Sequence, residues 1–345
     1  MVDGNRADAV EAGWSLSAAA RARLARPSPA PLRPPPIDDH VAVAAWRHAE
    51  HRAWLEGDPS AAACGHRPDR VGGVDVLRAG PSLATHGSAS AVEAPAGGGG
   101  GPGGTPLVVY AHGGGYAVGS PTTALPITER LAARCEIVSI DYRLAPEAPY
   151  PAAVEDVRAV VEAVSATTPP DRPLVLAGDS AGAGLVVAAL QRLQRVRGAA
   201  EAAGDPPAHQ RPPFGIDGLV LLSPHLDHGP ESDAARARDP RSDVDSVAAQ
   251  WLRAAYCGAV DPADPGVSPV RGELGGLPPT LVQVGTADSS FDGAVRFARL
   301  ARSAGVEVTL DVWPELWHAW HYHRDLPEAD LALAEAAEFC SAVRS

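Results

Sequence analysis

The apolar residues of this chain are grouped, not scattered. Six short runs have the length and composition of strands: LVVYA (107–111), EIVSID (136–141), LVLAG (174–178), LVLLS (219–223), TLVQVG (280–285) and VEVTLDVW (306–313). Most are continuous, as in strands covered on both faces. Longer stretches between them predict helices at 122–134, 151–166, 181–198, 246–257 and from 286 to about Ala304, and a last one covers LPEADLALAEAAEFCSAV (326–343). Pro151 suits a first helical turn, and Gly198 is expected to end the third helix. Strands and helices alternating in this order predict an α/β fold with a mostly parallel central sheet flanked by helices.

The flanks read differently. PSPAPLRPPP (27–36) is too rich in proline for helix or central strand. IDDHVAVAAWRHAEHRAWLEG (37–57) predicts an amphipathic helix, with Asp38 or Asp39 as cap and Gly57 as its end. Residues 86–106, which include GGGGGPGG, and residues 199–215 are expected to be surface loops.

Composition narrows the function classes. The hydrophobic fraction is 45% of 345 residues, enough for a large core. The net charge is −13, and all 29 basic residues are arginine, with no basic run. Nucleic acid and anionic membrane surfaces are therefore poor partners. Cys64, Cys135, Cys257 and Cys340 form no CxxC pair, which argues against a zinc knuckle, a redox motif or a disulfide framework. The first twenty residues carry acids and no continuous apolar run, so neither a signal peptide nor a membrane insertion is expected, and a cytoplasmic setting is the default.

In such sheets the chemistry sits just after the strands. After LVLA comes GDSAG (178–182), a G-x-S-x-G between a predicted strand and a predicted helix. That context turns Ser180 from an ordinary helix cap into a candidate nucleophile on a sharp turn. A serine hydroxyl needs a base, and the base needs an orienting acid. TADSSFDG follows the fifth run and offers Asp288 and Asp292. Asp288, nearer its strand end, is preferred; Asp292 suits a first helical turn. PELWHAWHYH follows the sixth run and offers His318, His321 and His323. His318 comes first and is preferred as base. H-x-x-H-x-H matches no zinc spacing, and no metal is expected. After LVVYA, HGGG (112–115) supplies unobstructed backbone N–H groups for an oxyanion, together with Ala181 after the nucleophile. His112 is read as a brace for this loop.

HGGGYAVGS, DYRLAPEAPYPAAVEDV (141–157), GDSAGAG and SPHLD (223–227) together resemble the hormone-sensitive-lipase-like α/β hydrolases, the bacterial esterase and lipase branch. The resemblance spans roughly residues 107 to 320. It implies an α/β-hydrolase fold with a helical cap, formed by an N-terminal segment (1–60) and an insert at about 225–255. Residues 61–345 would then form the catalytic domain. It also implies Ser180, Asp288 and His318 as the triad, with Gly114, Gly115 and Ala181 as oxyanion donors. The implied activity is hydrolysis of short acyl esters without a cofactor. Deacetylation, amide hydrolysis or acyl transfer on a small metabolite use the same machinery, and a non-catalytic receptor on the same fold is a further alternative.

Other residues carry weaker expectations. Tyr116 is a candidate for the substrate pocket. His225 stands where the family often has tryptophan, and with His228 it is read as pocket wall or surface. Trp313, Trp317 and Trp320 could floor a pocket or pack the core. Asp179 and Asp141 are read as structural, and Arg143 with Glu147 as a half-buried polar set. Oligomeric state is open, a homodimer included.

Overall fold

A computed structural model describes residues 15–25, 33–56, 65–84, 104–202, 215–229 and 246–343. Gly57, Cys64 and most of the loops expected at 86–106 and 199–215 lie outside the described residues, as do the ends of the 1–60 segment and the middle of the 225–255 insert.

Eight strands form one sheet in the order β1-β2-β4-β3-β5-β6-β7-β8. They are β1 (His66–Val71), β2 (Val74–Ala79), β3 (Leu107–Ala111), β4 (Glu136–Ile140), β5 (Leu174–Asp179), β6 (Gly218–Leu222), β7 (Thr280–Gly285) and β8 (Val308–Trp313). From β4 to β8 every pairing is parallel. β1 and β2 form an antiparallel hairpin, and β2 pairs antiparallel with β4. The hairpin is absent from the run of expected strands because HRPDRV carries no apolar pattern; its signal is the turn Gly72–Gly73, both at positive φ.

Eight helices matter here: α1 (Ala18–Leu24), α2 (His40–Glu56), α3 (Leu125–Leu131), α4 (Ala152–Thr167), α5 (Ala181–Ala202), α6 (Ser246–Cys257), α7 (Phe291–Ser303) and α8 (Pro327–Ala342). Asp39 caps α2 by accepting the Ala42 N–H at 3.0 Å. α5 runs through Gly198 to Ala202, past the expected stop. A glycine in an exposed stretch of helix costs only about 1 kcal/mol, too little to break one that continues into Ala199 and Ala200. Among the described residues no helix is long and apolar enough to cross a membrane.

Alternate residues of the strands feed the two faces. Val109, Val138, Leu176, Leu219 and Val282 pack with α4, α5 and α7. Val108, Tyr110, Val175, Val220 and Leu281 pack with residues of α3 and α8. Trp313, Trp317 and Trp320 join Leu16 and Ala20 in a third cluster. The tryptophans thus anchor α1 by packing. Ser17 adds two bonds to Glu328, at 2.6 and 2.9 Å.

Between β6 and β7 the chain leaves the sheet and returns through α6. Trp251 of α6 meets Trp46 of α2 edge to face at 5.1 Å, and its Nε1 donates to Pro35 O at 2.6 Å. The two helices therefore pack together, and Leu252 lies against Gly115 at the carboxyl end of β3. Arg143 and Glu147 do not form a set with each other. Arg143, 60% exposed, pairs with Asp156, and Glu147, 36% exposed, pairs with Arg47.

Candidate active site

The carboxyl ends of β3, β5, β6, β7 and β8 lie side by side, and each contributes a polar group. Ser180 follows β5 directly at φ 48°, a conformation few side-chain-bearing residues adopt. Its N–H donates to Leu222 O at 2.9 Å, which locks the turn to β6. A Cβ on Gly182 would stand 2.6 Å from His112 O, so only glycine lets the turn pass β3 this closely. Tyr116, Ser223 and Ala319 are also at positive φ, and they follow β3, β6 and His318. Such strain, about 1–3 kcal/mol per residue, collects at functional sites.

His318 lies between a hydroxyl and a carboxylate. Its Nε2 is 2.8 Å from Ser180 Oγ and its Nδ1 is 2.8 Å from Asp288 Oδ1. A carboxylate can only accept, so Nδ1 carries the proton and Nε2 is left to accept from the serine. Asp288 Oδ1 also accepts from the Ser290 N–H at 2.7 Å and the Ser290 hydroxyl at 2.8 Å. Burial pushes the Asp288 carboxyl up, but the His318 imidazole, the Ser223 hydroxyl and the Ser290 amide outweigh it and hold it below the ordinary carboxylate value. It therefore stays ionised beside the imidazole. Asp292 stands apart in the first turn of α7, exposed.

The other two histidines of the same loop point elsewhere. His321 is fully buried beside Trp320, with ring centroids 3.8 Å apart. His323 accepts from Trp317 Nε1 at 3.1 Å. Burial lowers His321 to about 3 and His323 to about 4, so both are neutral at physiological pH.

The glycine loop is held from both sides. Gly113 N–H donates to Asp179 Oδ1 at 2.9 Å and is thereby used up. His112 Nδ1 donates to Gly113 O at 2.7 Å, its ring stacked on Tyr142 at 4.2 Å. Burial lowers His112 to about 4, so it too is neutral. Gly114 and Gly115 sit at φ 116° and 58°, and their N–H groups, like that of Ala181, meet no protein acceptor among the described residues. Three free amides thus remain near Ser180, the requirement for binding an oxyanion.

Two residues matter more than the sequence suggests. Asp179 accepts from Tyr110 Oη at 2.6 Å, Tyr322 Oη at 3.0 Å and Gly113 N, so one buried carboxylate ties the glycine loop to the segment after His318. Ser223 Oγ accepts the Ala319 N–H at 3.0 Å, holding the histidine loop against β6. The signal for Asp179 was its place beside Ser180 in G-x-S-x-G, and for Ser223 its place at a strand end.

Tyr116 is buried and stacks on Tyr256 of α6 with centroids 3.7 Å apart. His228 lies 5.3 Å from both rings, and His225 Nε2 is 3.4 Å from His228 Nδ1. His225 is half-buried, and its N–H donates to Ser180 O at 3.0 Å. These aromatic groups therefore stand beside the Ser180 turn and not on the outer surface. Asp227 points away and is held by Arg271 and Arg296 at 2.9 and 2.7 Å.

Comparison with known proteins bears on the family and the fold. A family model described as "alpha/beta hydrolase fold" matches residues 108–322. An acetyl-hydrolase of Streptomyces hygroscopicus is 38% identical over 237 residues, 67% of this chain and 74% of that protein. An esterase of Acinetobacter venetianus is 32% identical over 244 residues, 69% of this chain and 76% of that protein. Among solved structures, a hormone-sensitive lipase from a metagenome library superimposes with a TM-score of 0.71 at 29% identity, covering 88% of this chain and 92% of that one. An esterase of the bacterial hormone-sensitive lipase family gives 0.70 at 31% identity, with 94% and 95% covered. By fold, by the matched segment and by these likenesses, the chain belongs to the α/β-hydrolase fold family, in its hormone-sensitive-lipase-like branch.

Proposed function

We propose that this protein is a serine carboxylesterase that cleaves short-chain acyl or acetyl esters through an acyl-enzyme. Its relatives make it an ester-hydrolysing α/β hydrolase; the serine mechanism and the acyl preference are our reading. The observation that carries it is the chain Ser180 Oγ, His318, Asp288, with both contacts at 2.8 Å.

In this mechanism Ser180 Oγ attacks the ester carbonyl as its proton passes to His318 Nε2. Asp288 keeps the ring in the Nδ1–H tautomer and stabilises the imidazolium that forms. The N–H groups of Gly114, Gly115 and Ala181 receive the oxyanion. His318 then gives its proton to the departing alcohol. A water, deprotonated by the same nitrogen, attacks the acyl-enzyme carbonyl; the bond to Ser180 Oγ then breaks, Oγ takes the proton back from His318 Nε2, and the acid is released. Asp179 and His112 position the donors, and neither touches the reacting atoms.

The preference for short acyl groups is supported by the stacked Tyr116 and Tyr256 and by Leu252 over Gly115, which crowd the space beside the nucleophile. The name of the Streptomyces relative, acetyl-hydrolase, favours removal of acetyl groups from a small molecule as a second reading on the same machinery. The cap in this scheme is made of α2 and α6, consistent with their Trp46–Trp251 contact.

The test is a ladder of p-nitrophenyl esters from acetate to laurate, with wild type and Ser180→Ala. Activity highest at the short end and absent in the variant is expected. Equal activity of the variant would end the serine mechanism, and a maximum at laurate would end the short-chain assignment.

A further inference from the structure

We propose that Arg47 of α2 is a positioning residue for the oxyanion donors, so that docking of the N-terminal helix sets the strength of the oxyanion hole; this rests on Ser180 being the nucleophile. Arg47 is far from the reacting atoms in sequence, and its guanidinium makes no contact with Ser180, His318 or Asp288. It is instead spent on backbone. Nε donates to Ala117 O at 2.7 Å and Nη2 to Ala145 O at 2.9 Å. Glu147 fixes the fork from outside, with Oε2 2.6 Å from Nη2 and Oε1 3.1 Å from Nη1.

The importance of Ala117 O follows from peptide planarity. A trans peptide holds its C=O and the next N–H in one plane, pointing in opposite directions. Fixing a carbonyl therefore aims the N–H on its other side. The Gly114–Gly115 peptide carries the Gly115 N–H, and its carbonyl, Gly114 O, accepts from Ala117 N at 3.1 Å and Val118 N at 3.0 Å. Val118 N belongs to the Ala117–Val118 peptide, whose carbonyl is the one Arg47 holds. Ala117 N belongs to the Tyr116–Ala117 peptide, whose carbonyl accepts from Ala145 N at 2.9 Å. Arg47 holds Ala145 through its own carbonyl. Both donors that orient the Gly115 peptide are thus stiffened from behind, and a single guanidinium serves both branches. The Gly114 N–H is aimed by the separate bond from His112 to Gly113 O.

No other cation meets Ala117 O or Ala145 O among the described residues. A planar fork can reach two carbonyls and a carboxylate at once, and an ammonium cannot do so with the same geometry. Arg47 is also mostly covered, with 22% of its side chain exposed. Its bonds to neutral carbonyls are therefore sheltered from competing water.

The test compares wild type, Arg47→Met, Arg47→Lys and Glu147→Gln on a p-nitrophenyl ester and its thionoester, with active sites counted by a fluorophosphonate. Sulfur accepts hydrogen bonds poorly, so well-aimed donors discriminate strongly in favour of the oxygen ester. A fully lost donor costs about a hundred- to a thousandfold, so a loosened one in Arg47→Met should lower kcat per titrated site about tenfold. KM should move less than about twofold, and the ester-to-thionoester ratio of kcat/KM should fall by about the same factor as kcat. Arg47→Lys and Glu147→Gln, which keep part of the arrangement, should fall between and remain informative if Arg47→Met does not fold. Unchanged kcat per site, a change in KM alone, or a fall in kcat with the ratio intact would overturn the proposal. A wild type inert toward both ester and fluorophosphonate would instead overturn the serine-esterase reading beneath it.

Discussion

Replacing His321 by phenylalanine should make this protein more resistant to acid while leaving it nearly unchanged at neutral pH. His321 and His112 are both fully buried. Burial is the main cause that lowers them from the ordinary 6.5 to about 3 and about 4. Above pH 6.5 the folded and unfolded chains both hold these rings neutral, and the full stability is present. As the pH falls through 6.5 the unfolded chain takes up protons that the folded chain refuses, so stability drops continuously toward the folded values. Between about pH 8 and about pH 5 each withheld proton costs about 2 kcal/mol, about 4 kcal/mol for the pair, a large share of the roughly 5–15 kcal/mol that stabilises a typical domain. Neither ring nitrogen of His321 has a hydrogen-bond partner among the described residues, and Arg130 bonds only its main-chain carbonyl. Phenylalanine therefore gives up no side-chain bond. Urea unfolding followed by tryptophan fluorescence should place His321→Phe within about 1 kcal/mol of wild type at about pH 8 and about 2 kcal/mol above it at about pH 5. Parallel stability curves for the two proteins across that range would refute the reasoning.

Two further outcomes concern the site. Asp288→Asn keeps the shape but holds His318 in the wrong tautomer, and kcat on p-nitrophenyl acetate should fall by about 10⁴; a loss below about tenfold would remove Asp288 from the triad. Gly115→Ala would put a Cβ 2.7 Å from Leu252 Cδ1 at a φ of 58°. It should cost about a hundredfold in kcat, and adding Leu252→Ala should recover part of the loss; no recovery would mean that backbone strain alone is responsible.

Much of the fold was legible because burial on both faces of a parallel sheet demands continuous apolar strands, and β3 to β7 carry that mark, while β8 at the sheet edge shows only a mixed apolar and polar pattern. The edge hairpin does not, since β1 is mostly solvent-facing and its residues answer to no core. The end of α5 lies beyond Gly198 because one glycine in an exposed stretch of helix is a weak stop when its neighbours, Arg197 and Ala199, are good helix formers. For the tryptophans, sequence left pocket and packing open, and contact with α1 places them in a core.

The sequence by itself determined the order of the strands from β3 to β8 and of the helices between them, the sharp turn around Ser180, the glycines after β3, and which acids and histidines follow which strand, because these depend on local sterics and on hydrophobic period. Only the tertiary structure decided that His318 and not His321 or His323 lies 2.8 Å from a serine 138 residues away. Three histidines in one short loop are equivalent to a pattern, but only one ring faces the neighbouring strand end. The same holds for Asp179, whose three hydrogen bonds come from two segments more than 200 residues apart in sequence, Tyr110 with Gly113 and Tyr322, and for Arg47, 70 residues from the carbonyl it holds. Such contacts follow from strand adjacency and helix docking, which bring together groups that no local rule relates.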